Sequence, residues 1–417
     1  MKRLLRQYWR RILIFLAIMG PGIITANVDN DAGGIATYSV CGAQFGYSLL
    51  WSFIPIIIAL VIIQEMCSRM AVVTGKGLAD LIREEFGVKI TFYTMFVLVI
   101  ANIGNTMAEF AGIAASAELF GISKFFLVIV SAALVWFLVL KGTYKSVEKV
   151  FLVACLFYVA YIISGFIVKP DWTEVAESIT RPKVEFNRAH IFMMLGLVGA
   201  TIAPWMQFYQ QSAVVEKEIK IKDYAYNRLD VIIGAFVVNI VAIFIVIVCA
   251  ATLFKNGIQI DTAADAARAL QPLAGNYCYL LFAFGLFNAS LFAASILPLT
   301  TAYTVCEGLG WELGVNKNFR EAPQFYWLYT IIIVIGAATI LIPGINFVKI
   351  MLVTQVANGI LLPFVLVLML LLVNKKKLMG EYTNSLLYNV ISWIVIVVMI
   401  LLSLALLYTY LSGRLVL

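Results

Sequence analysis

Two aspartates and two glycines interrupt an apolar stretch in Val28-Asp29-Asn30-Asp31-Ala32-Gly33-Gly34. Apolar residues precede it from Ile12 to Ile24, and a small-residue run follows from Ile35. A carboxylate at bilayer depth is costly and normally faces a cavity or a cation, so it marks a functional site by default. Adjacent glycines let a helix unwind and free backbone carbonyls toward such a cation. Asp31 is the leading candidate ligand, with Asp29 and Asn30 as secondary candidates and the carbonyls of Asn27 or Val28 beside them.

A second interruption lies in Gly196-Leu197-Val198-Gly199-Ala200-Thr201-Ile202-Ala203-Pro204-Trp205. Pro204 has no amide hydrogen and clashes with the preceding turn, so a helix should kink or break there. Free carbonyls at Ala200 or Thr201 could complete an oxygen cage with Asp31. Carboxylate, carbonyl and water suit magnesium, calcium and manganese, whereas thiolates and thioethers select softer metals. Ala203, just before the proline, supplies no sulfur, and Gly33, Gly34 and Ala203 leave room for an ion that keeps its water. Among the other polar residues inside apolar stretches, Glu109, Gln207 and Gln355 are the candidate pathway or ligand residues. Asn102 and Asn105 fit interhelical hydrogen bonding, and Glu65 and Glu307 fit pairing with Arg or Lys near span ends.

These residues must be positioned by membrane helices. The 417 residues are 63% hydrophobic and 13% charged, with a mean hydropathy of +0.97, against about 25% charged in a soluble domain. A span needs about 20 apolar residues, and eleven such segments are expected: 12–45 (broken), 48–72, 91–119, 122–140, 149–168, 190–215 (broken), 230–254, 277–306, 326–343, 347–373 and 387–412. The longest connectors are 169–189 and 255–276, the second with an amphipathic run around 261–270. Each break opens a block of five spans. Interrupted helices at matching positions in two halves indicate an inverted-repeat transporter with its site near the membrane midplane. The expected organisation is one all-α transmembrane domain: repeat one over 11–168, repeat two over 190–373, and an extra eleventh helix over 387–412.

Most of the 30 Lys and Arg residues fall in loops on one side, which by the positive-inside rule places the N-terminus in the cytoplasm and the C-terminus outside. The basic N-terminus lacks a signal-peptide cleavage site, so the first span is expected to be retained. The net charge of +7 is accounted for by these loops, and no nucleic-acid partner is implied. The six cysteines form no Cys-x-x-Cys pair, and the single histidine, His190, cannot build a multi-histidine metal site. No nucleophile–base pair, phosphate loop or cofactor motif is present, so no enzyme activity and no cofactor are expected. The bilayer and a transported divalent ion are the implied partners, and no obligate protein partner is evident.

Several stretches resemble the NRAMP family of divalent-metal transporters. Gly42-Ala43-Gln44-Phe45-Gly46-Tyr47-Ser48-Leu49-Leu50-Trp51 is very close to that family's run after its first broken helix. Val73-Thr74-Gly75-Lys76-Gly77-Leu78-Ala79-Asp80-Leu81 is similar to its loop after span two. Met107-Ala108-Glu109, Cys306-Glu307-Gly308, Gln355-Val356 and Leu362-Pro363-Phe364 extend the likeness. The resemblance implies a LeuT-type 5+5 inverted repeat in the plasma membrane. The departures are informative. Where the family has Asp-Pro-Gly-Asn, this chain has Asp31-Ala32-Gly33-Gly34. Where it has Met-Pro-His, this chain has Ala203-Pro204-Trp205, and a second family histidine aligns near Gln210 or Gln211. The family's Asp-Met-Ala-Glu appears as Thr106-Met107-Ala108-Glu109, losing an acid tied to proton movement. Together they resemble the bacterial NRAMP-related magnesium transporters, which implies magnesium and manganese transport without proton coupling. A proton-coupled manganese carrier using Asp31 and Glu109 is the alternative, and a sodium-coupled carrier of a small organic solute ranks third.

Overall fold

The computed structural model describes residues 28, 30–140, 155–183, 185, 187–314 and 317–411. Asp29, the Asn27 carbonyl, the first half of the first expected span, the start of the fifth, the basic N-terminus and the basic loop at 141–149 lie outside the described residues. Among those described, every regular element is helical.

The first interruption resolves into a helix start. Asp31 is the N-cap of α1 (Ala32–Phe45), its carboxylate accepting the Gly34 amide at 2.7 Å. An acidic N-cap satisfies an orphan amide and complements the helix dipole. Every residue of α1 from Ala32 to Ala43 is buried, so this is an interior half-helix rather than a lipid-facing span. Next come α2 (Phe53–Thr74), α3 (Leu78–Phe120), α4 (Lys124–Leu140) and α5 (Val159–Ile167). α3 begins earlier than the expected span at 91, because Gly87 takes φ 79° and bends a short leading helix into the transmembrane one. The connector at 169–189 holds an amphipathic helix, α6 (Trp172–Thr180), capped by Asp171.

The second interruption separates α7 (Arg188–Thr201) from α8 (Pro204–Glu216). Pro204 stands at the first position of the new helix, where its missing amide costs nothing. The chain breaks at Ile202 and Ala203, one turn after Gly199, and Ala203 is extended. After it come α9 (Tyr224–Thr252), α10 (Cys278–Leu309), α11 (Pro323–Leu341), α12 (Phe347–Val373) and α13 (Leu386–Leu411). The connector at 255–276 contains a short helix (Ala263–Ala267) with a capping box between Thr262 and Asp265. Among the described residues, 8 helices are long and apolar enough to cross a membrane.

Interior helices approach closely through small residues, as membrane bundles require. A Cβ at Gly199 would lie 1.9 Å from the Gln355 carbonyl, and one at Gly359 would lie 2.4 Å from the Leu195 carbonyl. α7 and α12 therefore touch backbone to backbone. α3 and α10 form the other extensive interior pair. α13 packs against α12 with one face, while Leu386, Tyr408 and Leu411 are strongly exposed, as for a helix at the bundle's lipid edge.

Candidate functional site

α1 starts, α7 ends, and both ends meet the middle of α12. Asp31 Oδ1, which already caps Gly34, also accepts from Gln355 Nε2 at 3.3 Å. Gly33 makes this approach possible: a Cβ there would lie 2.0 Å from that nitrogen. Glu109 on α3 closes the third side. Its Oε2 accepts the Ala32 amide at 3.3 Å, and its carboxyl lies beside that of Asp31. Two buried carboxyl groups in contact repel unless a cation or proton is shared between them. Asp31 and Glu109 are 5% and 0% exposed, so water does little to screen the pair.

Neutral oxygens are available on the adjoining segments. The Ala200 carbonyl would accept from the residue four positions on, but that residue is Pro204, so the helix supplies no donor. Asn30 is 2% exposed and its Oδ1 has no partner among the described residues. Its backbone carbonyl accepts from the Tyr158 hydroxyl, which pins the chain just before Asp31. The two half-helices are tied together where Tyr38 Oη and Thr201 Oγ1 lie 3.1 Å apart. Among the described residues, no group of three or more His, Cys, Asp and Glu could hold a metal. A cation here would rest on carboxylate, amide, carbonyl and water, the donor set of hard dications.

The sequence candidates thus divide. Asp31, Gln355, Glu109, Gly33 and Gly34 come together, and Ala200, Ala203 and Pro204 lie at the break between α7 and α8. Gln207 is turned away toward α2: its Oε1 accepts from Gln64 Nε2 at 3.3 Å, and its Nε2 bonds the Ala203 carbonyl at 3.2 Å. Trp205 is buried against Tyr209, with ring centroids 6.1 Å apart. Asp29 lies outside the described residues. Glu65 pairs with Arg69 at 3.1 Å, as its place near a span end suggested. Glu307 instead meets Ser212 Oγ of α8 at 3.5 Å and the Gly77 backbone of the loop between α2 and α3, with no Lys or Arg bonded to it among the described residues. Sequence reasoning missed Tyr158, since a single tyrosine in an aromatic-rich chain carries no positional signal.

Known proteins resemble this chain over nearly its whole length. The divalent metal cation transporter MntH of Clostridium acetobutylicum is 27% identical over 97% of this chain and 94% of its own length. The protein of the same name from Deinococcus radiodurans is 26% identical over 97% of this chain and 92% of its own. Among solved structures, the Eremococcus coleocola manganese transporter superposes with a TM-score of 0.77 at 20% identity, covering 98% of this chain and 90% of that one. The all-α, LeuT-type fold that the family resemblance implied is therefore the fold of this chain, and no enzyme stands among these relatives. The family described as natural resistance-associated macrophage protein-like (Nramp) matches residues 22–409, and the chain belongs to it.

Proposed function

We propose that this chain carries divalent metal cations, magnesium foremost and manganese with it, across the plasma membrane by alternating access without proton coupling. The carrying observation is the Asp31 carboxylate at the head of a half-helix, bonded to Gln355, whose own backbone meets Gly199 just before the second break, the residue ahead of Pro204 there being Ala203. A thioether opposite the acid would favour transition metals over abundant magnesium, and an alanine removes that preference. The two repeats, over about 11–168 and 190–373, would each contribute one broken helix to the site. The names of the relatives support a divalent metal as cargo.

By the resemblance to the family, Thr106 stands where relatives carry an acid tied to proton movement and Trp205 where they carry a histidine, which supports uncoupled transport. Uptake needs no proton to be driven. A dication entering a negative interior gains about 2 × 2.3 kcal/mol per 100 mV, a more than thousandfold accumulation at equilibrium. One observation favours a second reading, a proton-coupled manganese carrier: Glu109 still stands against Asp31, and the structurally similar Eremococcus protein is a manganese transporter. Reconstituted uptake of both ions across a range of pH and voltage separates them. Voltage-driven magnesium uptake with a constant lumenal pH supports the first reading, and acidification in step with metal entry overturns it.

A further inference from the structure

Gln355 is the near end of a chain of buried amides that runs away from the site. Asn358 Nδ2 donates to Gln355 Oε1 at 2.9 Å and to Asn105 Oδ1 at 2.9 Å. Asn105 Nδ2 donates back to Asn358 Oδ1 at 3.2 Å and onward to Asn102 Oδ1 at 3.3 Å. Asn102 Nδ2 donates to Thr301 Oγ1 at 2.8 Å, and the Thr301 hydroxyl donates to the Leu297 carbonyl at 2.7 Å. The five side chains, on α12, α3 and α10, are each at most 3% exposed, so water cannot substitute for a lost partner.

The polarity of this chain is dictated at the Asp31 end. An ionised carboxylate only accepts, so Gln355 presents its NH2 group to Asp31 and its oxygen to Asn358. At the far end the Thr301 hydroxyl donates to the Leu297 carbonyl and receives Asn102. Between the ends, each amide orientation follows from its neighbour. This polarity is the wrong one for a cation, which needs the oxygen of Gln355 rather than its NH2 group. Turning Gln355 over would set its nitrogen against Asn358 Nδ2, two donors face to face in a dry interior. Asn358, Asn105 and Asn102 would each have to turn in sequence. The conflict ends at Thr301, whose hydroxyl can either accept or donate.

We infer that Asn358, Asn105, Asn102 and Thr301 are positioning residues for transport: they hold Gln355 with its donor end toward Asp31, and metal loading reverses the chain, reporting occupancy to α10. The inference rests on the reading of Asp31 as the cation ligand. The Gln355 NH2 group occupies an acceptor position on Asp31, and this hold opposes metal binding.

The test uses the full chain in lipid nanodiscs, with manganese as the probe, measuring affinity by calorimetric titration and uptake in liposomes. Asn358→Leu keeps the volume and removes the restraint on Gln355 Oε1. About fivefold tighter manganese binding is expected, the equivalent of one hydrogen bond near 1 kcal/mol, with slower turnover at saturating metal. Thr301→Val, remote from Asp31, removes two bonds from the chain in its observed polarity and one from the reversed chain, and should also tighten binding. Thr301→Ser should restore the wild-type value. A merely structural chain would lower thermal stability and leave affinity unchanged or weaker in both variants, which would overturn the inference. Asp31→Ala separates the two levels. Wild-type affinity in that variant would remove the site itself, whereas lost binding there, with unmoved affinity in the relay variants, would remove the relay alone.

Discussion

The Ala32 amide donates to Glu109 Oε2 at 3.3 Å, joining the first residue of α1 to the last third of α3. The bond gives Glu109 a task independent of any proton: it satisfies an orphan amide at a buried helix start. Glu109→Gln keeps an oxygen for that amide and loses only the charge. Magnesium uptake into liposomes should stay within about threefold of wild type, and its pH profile should stay flat. Glu109→Leu leaves the amide unmet, at a cost of about 1–3 kcal/mol, and should lose most of the uptake. Equal loss in both variants would mean that the charge, not the bond, is needed.

Asp31 has two tasks that a single substitution separates. As N-cap it contributes about 1 kcal/mol to α1, a small loss for a helix buried on all sides. As the proposed ligand it contributes the charge that a dication meets. Asp31→Ala should therefore elute as a folded, monodisperse protein with a slightly lower melting temperature and no metal uptake. Retained uptake by the folded variant would remove Asp31 from the pathway.

The two breaks were legible because charge, paired glycines and a proline are rare inside apolar runs, and each has a direct backbone consequence. Asp31, Gly33 and Pro204 could be read from residue type alone. The exact place of the second break could not, since Pro204 forbids only its own hydrogen bond and the turn before it decides whether Ala200 or Ile202 leaves the helix. Gln207 and Gln355 looked equivalent in sequence, each an amide in an apolar span. Their different roles depend on which helix faces them: α2 offers Gln64 to one, and α1 offers Asp31 to the other. The small-residue contacts between α7 and α12 were hidden because glycine marks both flexibility and close approach.

Gly33 and Gly199 meet the same residue from two sides, with different consequences. A Cβ at Gly33 would collide with the Gln355 side-chain nitrogen at 2.0 Å, and a side chain can swing aside. A Cβ at Gly199 would collide with the Gln355 carbonyl at 1.9 Å, and the backbone of α12 cannot move alone. Gly33→Ala should fold normally and cut uptake at least about tenfold by displacing Gln355 from Asp31. Gly199→Ala should lower the melting temperature sharply, an overpacking cost of about 1–3 kcal/mol or more. Melting curves and uptake measured on both variants check the contrast, and an unchanged melting temperature in Gly199→Ala would contradict the backbone contact.

Ala203 tests selectivity most directly. It is buried and extended at the N-cap of α8, two residues after Thr201, which bonds Tyr38 of α1. Ala203→Met adds a soft donor and occupies space that water around a magnesium ion would need. Magnesium holds its water tightly and takes oxygen ligands, so it loses on both counts, whereas manganese and cadmium tolerate or prefer sulfur. The ratio of manganese to magnesium uptake should rise about tenfold, with cadmium gaining most. Competition assays in liposomes with both ions present measure that ratio within one sample, so differences in expression or insertion drop out. An unchanged ratio in a folded, active variant would mean that the metal does not pass Ala203 in a form its side chain can touch.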